Sequence, residues 1–395
     1  MPLPAAENSA EFEPANLSNW RTAPFSRWAF QHVDEIVPSA VIANGAGAVL
    51  PLPSAASSPS ALQDFEINET DGSPLALQQF LRTTRTDGFI VLHDDRIVYE
   101  FYDNGMSAAT PHILMSATKS VVGLIVGILH GDGVVDVEAQ VSHYLPEVAH
   151  TAYQGATVRH LLDMRSGVVF DAAQLAAYSD ASGWDPLSPG ALVTDLHSFF
   201  SQSGAAAATH GGPFRYISAN TDLLGWVIER ASGQSFAALA ANLLWQPMGA
   251  EHRAYITLDR AGAPRSTGGM GATLRDLARI GQLVLHDGQR GATPVVPAAW
   301  LDDISKNGDR QAWQTGEFAH SFGGMKLRYR SGWYVDDAEP QILFAMGVHG
   351  QNLFVDRVNR IVIAKLSSLV TPIDYRAVAL AHQAVRQVAR CLIHQ

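Results

Sequence analysis

The chain has 395 residues, 47% of them hydrophobic, which is ample material for a large core and leads us to expect more than one lobe. Its formal net charge of -11 argues against nucleic acid or an anionic membrane surface as a partner, and the longest apolar stretch, around Val121 to Leu129, is too short to span a bilayer. The single cysteine, Cys391, excludes an intrachain disulfide, and the start Met1 to Glu7 has neither a basic nor an apolar signal region, so a cytoplasmic protein is expected; oligomeric state is not written in the sequence.

Residues 1–70 read as an N-terminal extension and linker wrapping the core, with Pro, Ser and Ala crowded between Pro51 and Ala61. Gly88 to Leu92 and Arg96 to Tyr102 flank the polar turn His93-Asp94-Asp95, which predicts an antiparallel hairpin. An apolar helix headed by Ser116 follows. From about Val134 to Leu301 the texture is helical with Gly-rich loops: Asn220 to Arg230 carries Leu223, Leu224, Val227 and Ile228, and Gly233 marks its end. Leu274 to Leu285 is similar. Ile342 to Gly347, Leu353 to Val355 and Ile361 to Leu366 read as strands of a meander, and a last helix carries Val378, Ala381, Val385, Val388 and Leu392 on one face. Strands at both ends with helices between predict an α+β fold: an antiparallel sheet flanked by helices, formed from residues 71–132 and 306–395, with an inserted all-helical lobe at 133–305.

Three segments carry candidate chemistry. Only four lysines occur, and Lys119 stands three places after Ser116, a spacing that puts hydroxyl and amine on one helix face. The motif is short, and Ser116 could simply cap the helix, but capping does not explain a rare lysine aimed into the same apolar setting. The second segment, Tyr216-Ile217-Ser218-Ala219-Asn220, sets a phenol, a hydroxyl and an amide at a helix N-terminus; alone, it reads more simply as a capping turn. In the third, Gly347-Val348-His349-Gly350-Gln351-Asn352, a strand carries Gly on either side of a His, which marks either close approach of a ligand or a bulge with a surface histidine. Lys365 reads as a snorkelling or end-of-strand lysine rather than a second base. The 15 histidines form no H-E-x-x-H or close His/Cys cluster, and neither a G-x-S-x-G elbow nor a Walker loop is present, so no metal or cofactor is expected.

Together the three segments resemble the serine hydrolases of the class C beta-lactamase, penicillin-binding protein and family VIII esterase group, with Ser116-x-x-Lys119 in place and Tyr216 about a hundred residues on, where the group has Y-x-N. Arg27 to Phe30, Ile36 to Ala40, Leu161 to Met164, Tyr216 to Asp222, His349 to Leu353 and Lys365 to Ser368 are similar to one branch, the 6-aminohexanoate-dimer (nylon oligomer) hydrolases, over nearly the whole chain. The resemblance implies a beta-lactamase-like fold, Ser116 as nucleophile, Lys119 as its base and Tyr216 as proton relay and general acid, with the backbone N–H groups of Ser116 and Val348 binding the oxyanion. It implies substrate contacts from Ser218, His349 and Gly350.

Two departures bear on substrate. Ser218 stands where lactamases have Asn, and Val348-His349-Gly350 lacks the Lys of K-T-G, which weakens beta-lactamase activity as the main role. The branch carries an amide-assisting tyrosine in the loop after its Leu-Asp-Met segment. Here that loop, Arg165 to Trp184, looks shorter and holds Phe170 and a single phenol, Tyr178, as the candidate for that role. The expected partner is a small linear amide or ester; the alternatives are a beta-lactamase-like or D-peptidase-type hydrolase, or a non-catalytic binding module.

Overall fold

The computed structural model describes residues 14–56, 62–69, 71–204 and 209–393. The Met1 to Glu7 start and part of the Pro51 to Ala61 stretch lie outside them. Among the described residues no helix is long and apolar enough to cross a membrane.

A seven-stranded antiparallel sheet is built from β1 (Thr86–His93), β2 (Arg96–Tyr102), β3 (Leu327–Arg330), β4 (Trp333–Asp336), β5 (Ile342–Gly347), β6 (Gln351–Asp356) and β7 (Ile361–Ser367), in the order β3-β4-β5-β6-β7-β1-β2. The expected hairpin is β1 and β2, turning at Asp94 and Asp95. The two sequence-distant halves join at the β7–β1 seam, where Ile361 faces His93 and Lys365 faces Phe89.

Strand alternation sends one set of side chains to each face. Ile90, Leu92, Leu343, Val355, Val362 and Ala364 pack against two helices, α1 (Thr118–Gly131) and, later in the chain, Leu274–Leu285. Phe344, Phe354 and Ile363 meet Leu380, Ala384 and Val388 of the C-terminal helix Tyr375–Ile393. With both faces covered, β5, β6 and β7 are buried nearly throughout rather than alternating between buried and exposed residues. The α1 helix is buried on all sides, and its Gly127 is what lets the Trp300 indole lie against the backbone.

Residues 14–42 are packed more closely than a linker would be. Trp20, Phe30 and Val33 are buried and form a small core of their own with Met115, Trp184 and Tyr255. Ser39–Ile42 pairs with Ala254–Thr257 in a four-stranded sheet that also takes in Met270–Ala272 and His112–Ile113. Composition hid this, because a few large apolar side chains among many small and polar ones suffice to anchor a segment. The segment Arg165 to Trp184, read as a loop, contains the helix Ala172–Ser182, capped by Asp171 at its start and by left-handed Gly183 at its end.

Candidate active site

Ser116 sits in a single 3-10 turn, Met115–Ala117, that leads into α1. The short strand just upstream is tied down by Leu114 N–H donating to the Met270 carbonyl at 2.8 Å. Met115 is held at φ +48°, a left-handed conformation uncommon for a side chain of its size, so the turn before Ser116 is fixed by its surroundings rather than by local preference. Ser116 itself is half-buried and accessible, whereas Lys119, one turn into the helix, is 3% exposed.

The Lys119 Nζ lies 3.0 Å from Ser116 Oγ and 2.8 Å from the Thr267 carbonyl oxygen, and it stands over the Tyr216 ring, 4.8 Å from its centroid. Burial lowers its pKa to about 7; the Asp222 carboxylate works against this shift and the Arg265 guanidinium adds to it. A lysine that is half neutral at pH 7 can accept the proton of a neighbouring hydroxyl. Burial pushes the Tyr216 phenol up, with a hydrogen bond to the Ser116 side chain drawing it partway back, so the phenol stays protonated at neutral pH. Tyr216 stacks on Phe318, and its backbone N–H donates to Glu317 at 3.1 Å.

Tyr216 precedes the helix Ser218–Ser232, whose first residue is Ser218. Asn220 is fully buried, its side-chain oxygen accepting from Ser166 at 3.0 Å and from Tyr153 at 3.3 Å, which pins the first turn of that helix.

The segment expected as a strand with a central His is different. The strand β5 stops at Gly347, and Val348–Gly350 is a 3-10 turn in which His349 has φ +62° and Gly350 φ +93°. His349 is not among the residues lining the clefts at Ser116: it is 2% exposed, bonds the Leu369 carbonyl at 2.7 Å through Nδ1 and packs edge-on against Phe30. With its N–H on the Pro372 carbonyl and its C=O accepting from Leu369 N–H, His349 is an anchor that fixes the turn on which Val348 sits. This corrects the expectation of a substrate contact from its side chain. A left-handed residue other than Gly is not legible from spacing, because tertiary bonds and not local propensity hold it.

A Cβ on Gly347 would collide with the Leu114 carbonyl and lie 3.0 Å from Ser116 N. The absence of a side chain there is what lets the end of β5, just before Val348, lie against the backbone of Ser116. Gly347→Ala is therefore expected to separate the two segments, costing ~1–3 kcal/mol of stability and most of the turnover. Thermal melts and ester kinetics check this, and unchanged values for both would show that the contact does not matter.

Two clefts meet at Ser116. The first is lined by Ser116, Tyr216, Val348, Gly350, Lys365 and a largely apolar wall. The second is lined by Ser116, Tyr178, Tyr216, Ser218, Trp184 and Val348. Tyr178 thus reaches the site, but its hydroxyl donates to the Asp222 carboxylate and accepts from Arg265 at 3.1 Å. Lys365 does not snorkel: it is 2% exposed and lines the first cleft.

Sequence reasoning missed the support behind Lys119. Asp222 and Arg265 form a buried ion pair, and Asp222 Oδ1 accepts from Thr267 N–H at 2.9 Å, aiming the Thr267 carbonyl at the Lys119 amine. The one available signal was a carboxylate inside the otherwise apolar helix of Leu223, Leu224 and Val227. Arg265 and Thr267, in an irregular segment, offered none. Among the described residues no group of His, Cys, Asp and Glu could hold a metal ion.

The Beta-lactamase family model matches residues 76–387. The chain is 31% identical over 375 residues to 6-aminohexanoate-dimer hydrolase of Paenarthrobacter ureafaciens, covering 93% of this chain and 92% of that one. Among solved structures it is similar to a candidate 6-aminohexanoate-dimer hydrolase from Bacillus anthracis, with TM-score 0.84, 26% identity and 98% of each chain covered. A family VIII carboxylesterase matches in fold, with TM-score 0.59 and 17% identity over 85% of this chain and 99% of that one.

Proposed function

The chain belongs to the beta-lactamase family and is a serine hydrolase, and from that premise we propose that it cleaves linear amides or esters through an acyl-enzyme on Ser116, with 6-aminohexanoate-type oligomers as the best-matched substrates. One observation carries the site assignment: the Lys119 amine, held near pKa 7, is 3.0 Å from Ser116 Oγ beside a protonated phenol. The proposed lobes are residues 71–132 with 306–395, and 133–305, with 1–70 wrapping them.

In the proposed sequence the Ser116 Oγ–H proton passes to neutral Lys119 as Oγ bonds the substrate carbonyl carbon, and that carbonyl's electron pair moves to its oxygen. The backbone N–H groups of Ser116 and Val348 would receive the oxyanion. As the tetrahedral centre collapses, Tyr216 donates its proton to the leaving nitrogen or oxygen and is recharged from Lys119. Water then enters by the same relay in reverse and releases the acid.

In the branch resembled, a second tyrosine assists amide cleavage beside the phenol that Tyr216 matches. Tyr178 lines the second cleft and is a candidate, but its proton is engaged by Asp222, so esters should be the easier substrates. The lactamase-like alternative is less well supported, since Ser218 and Val348 stand where Asn and Lys would help hold a beta-lactam.

The test is intact-protein mass spectrometry after incubation with a fluorophosphonate, followed by peptide mapping, alongside turnover of short p-nitrophenyl esters and linear aminohexanoate amides. One adduct, on Ser116, with turnover of both substrate classes is the expected result. A folded protein that takes no label would leave the binding-module reading.

A further inference from the structure

We infer that Lys365 and Asn352 form a carboxylate-binding pair in the apolar cleft beside Ser116, holding the far end of a linear substrate chain. The two residues are cross-strand neighbours, Lys365 on β7 facing Asn352 on β6. Both line the cleft that Ser116 opens into, and they are only 2% and 6% exposed. Around them the lining is Phe318, Phe322, Tyr334, Met346 and Val378, surfaces suited to methylene groups. Ile373 and Tyr375, each about half exposed, continue the apolar lining to the surface.

The pair lacks the partners that a structural role would bring. Among the described residues, the Lys365 amine makes no ion pair and donates one hydrogen bond, to Ser367 Oγ; the Asn352 amide makes no side-chain hydrogen bond. Elsewhere the same protein pairs buried guanidinium groups with carboxylates, Arg265 with Asp222 and Arg328 with Asp337. A buried ammonium without a counter-ion is costly, and a carboxylate delivered by a ligand relieves that cost. Burial lowers the lysine's pKa to about 7 against the pull of Asp87, and an arriving carboxylate would favour its protonated form. An ammonium and a carboxamide side by side supply the donors that two carboxylate oxygens accept.

The substrate class that fits is a linear amide or ester with an apolar spacer between the scissile carbonyl and a terminal carboxylate. This deepens the hydrolase reading and rests on it. The test uses the full chain with an uncharged p-nitrophenyl ester as reporter and compares hexanoate and octanoate with hexanamide and octanamide as competitive inhibitors. The carboxylates should inhibit at least about tenfold more tightly than the amides. In Lys365→Met that ratio should collapse to within about twofold, and in Asn352→Ala it should fall severalfold.

Equal inhibition of the wild-type protein by acids and amides overturns the inference without needing any variant, as does a ratio retained in both variants. The reporter keeps the two readings separable. No ester turnover and no Ser116 adduct would sink the hydrolase reading, whereas turnover with no acid preference would sink only the carboxylate site.

Discussion

Ser116→Ala is expected to reduce turnover of every substrate by on the order of 10⁴-fold or more, with the melting temperature unchanged. Ser116 lines both clefts and carries the hydroxyl 3.0 Å from the Lys119 amine, and it is half-exposed and followed by a buried helix, so its loss removes chemistry and little packing. Progress curves with a p-nitrophenyl ester, with fluorophosphonate labelling in parallel, check both halves. Residual activity above a few per cent in a well-folded Ser116→Ala protein would require another nucleophile. Lys365 is the alternative cleft-lining amine, so a double variant would then be the next measurement.

Lys119→Met is expected to cost on the order of 10²–10⁴ in kcat with an uncharged ester, because it removes the proton acceptor beside Ser116. It should also remove a pH dependence. Wild-type kcat/KM should rise tenfold per pH unit up to about 7 and then level, as Lys119 becomes neutral. An uncharged ester keeps any Lys365 contribution to binding out of this profile. A variant that keeps the same lower limb would show that another group sets it.

The same substitution has a signed effect on stability. The folded-state pKa of Lys119 is about 7 against an ordinary value of 10.5, so the unfolded chain holds more protons between those limits. Wild-type stability therefore gains from this residue as pH rises through that window, and the gain is absent in the variant. Below pH 7 the buried amine costs most, and the methionine variant should be the more stable protein there. Denaturant titrations at pH 6 and pH 9.5 measure the difference, and a variant less stable than wild type at pH 6 would contradict it.

These two residues were also the most legible in the sequence. A rare lysine three places after a serine, at the head of an apolar helix, needs no tertiary knowledge to be noticed, since helical spacing alone aligns them. Tyr216 was legible through resemblance more than through its own surroundings, which read as a capping turn. The strands β5, β6 and β7 announced themselves as apolar runs because helices cover both faces of the sheet. That same burial defeated the reading of Lys365: a snorkelling lysine carries its amine into bulk solvent, whereas this one is 2% exposed and sits in the wall of the cleft beside Ser116. His349 failed for a related reason, since its left-handed backbone is kept by bonds to Leu369 and Pro372 some twenty residues on.

What the amino-acid order determined alone is the inventory: a serine with its lysine, an apolar helix to carry them, a hairpin and a meander. Local rules of period and propensity act over a few residues, and those features span no more than that. Which remote groups meet was decided only by the chain closing on itself. The β7–β1 seam, the approach of Gly347 to Ser116, and the line from Asp222 through Thr267 to Lys119 each join segments dozens to hundreds of residues apart. The pKa of Lys119 belongs to that second class, because desolvation is a property of everything packed around the amine and is absent from the chain until it folds.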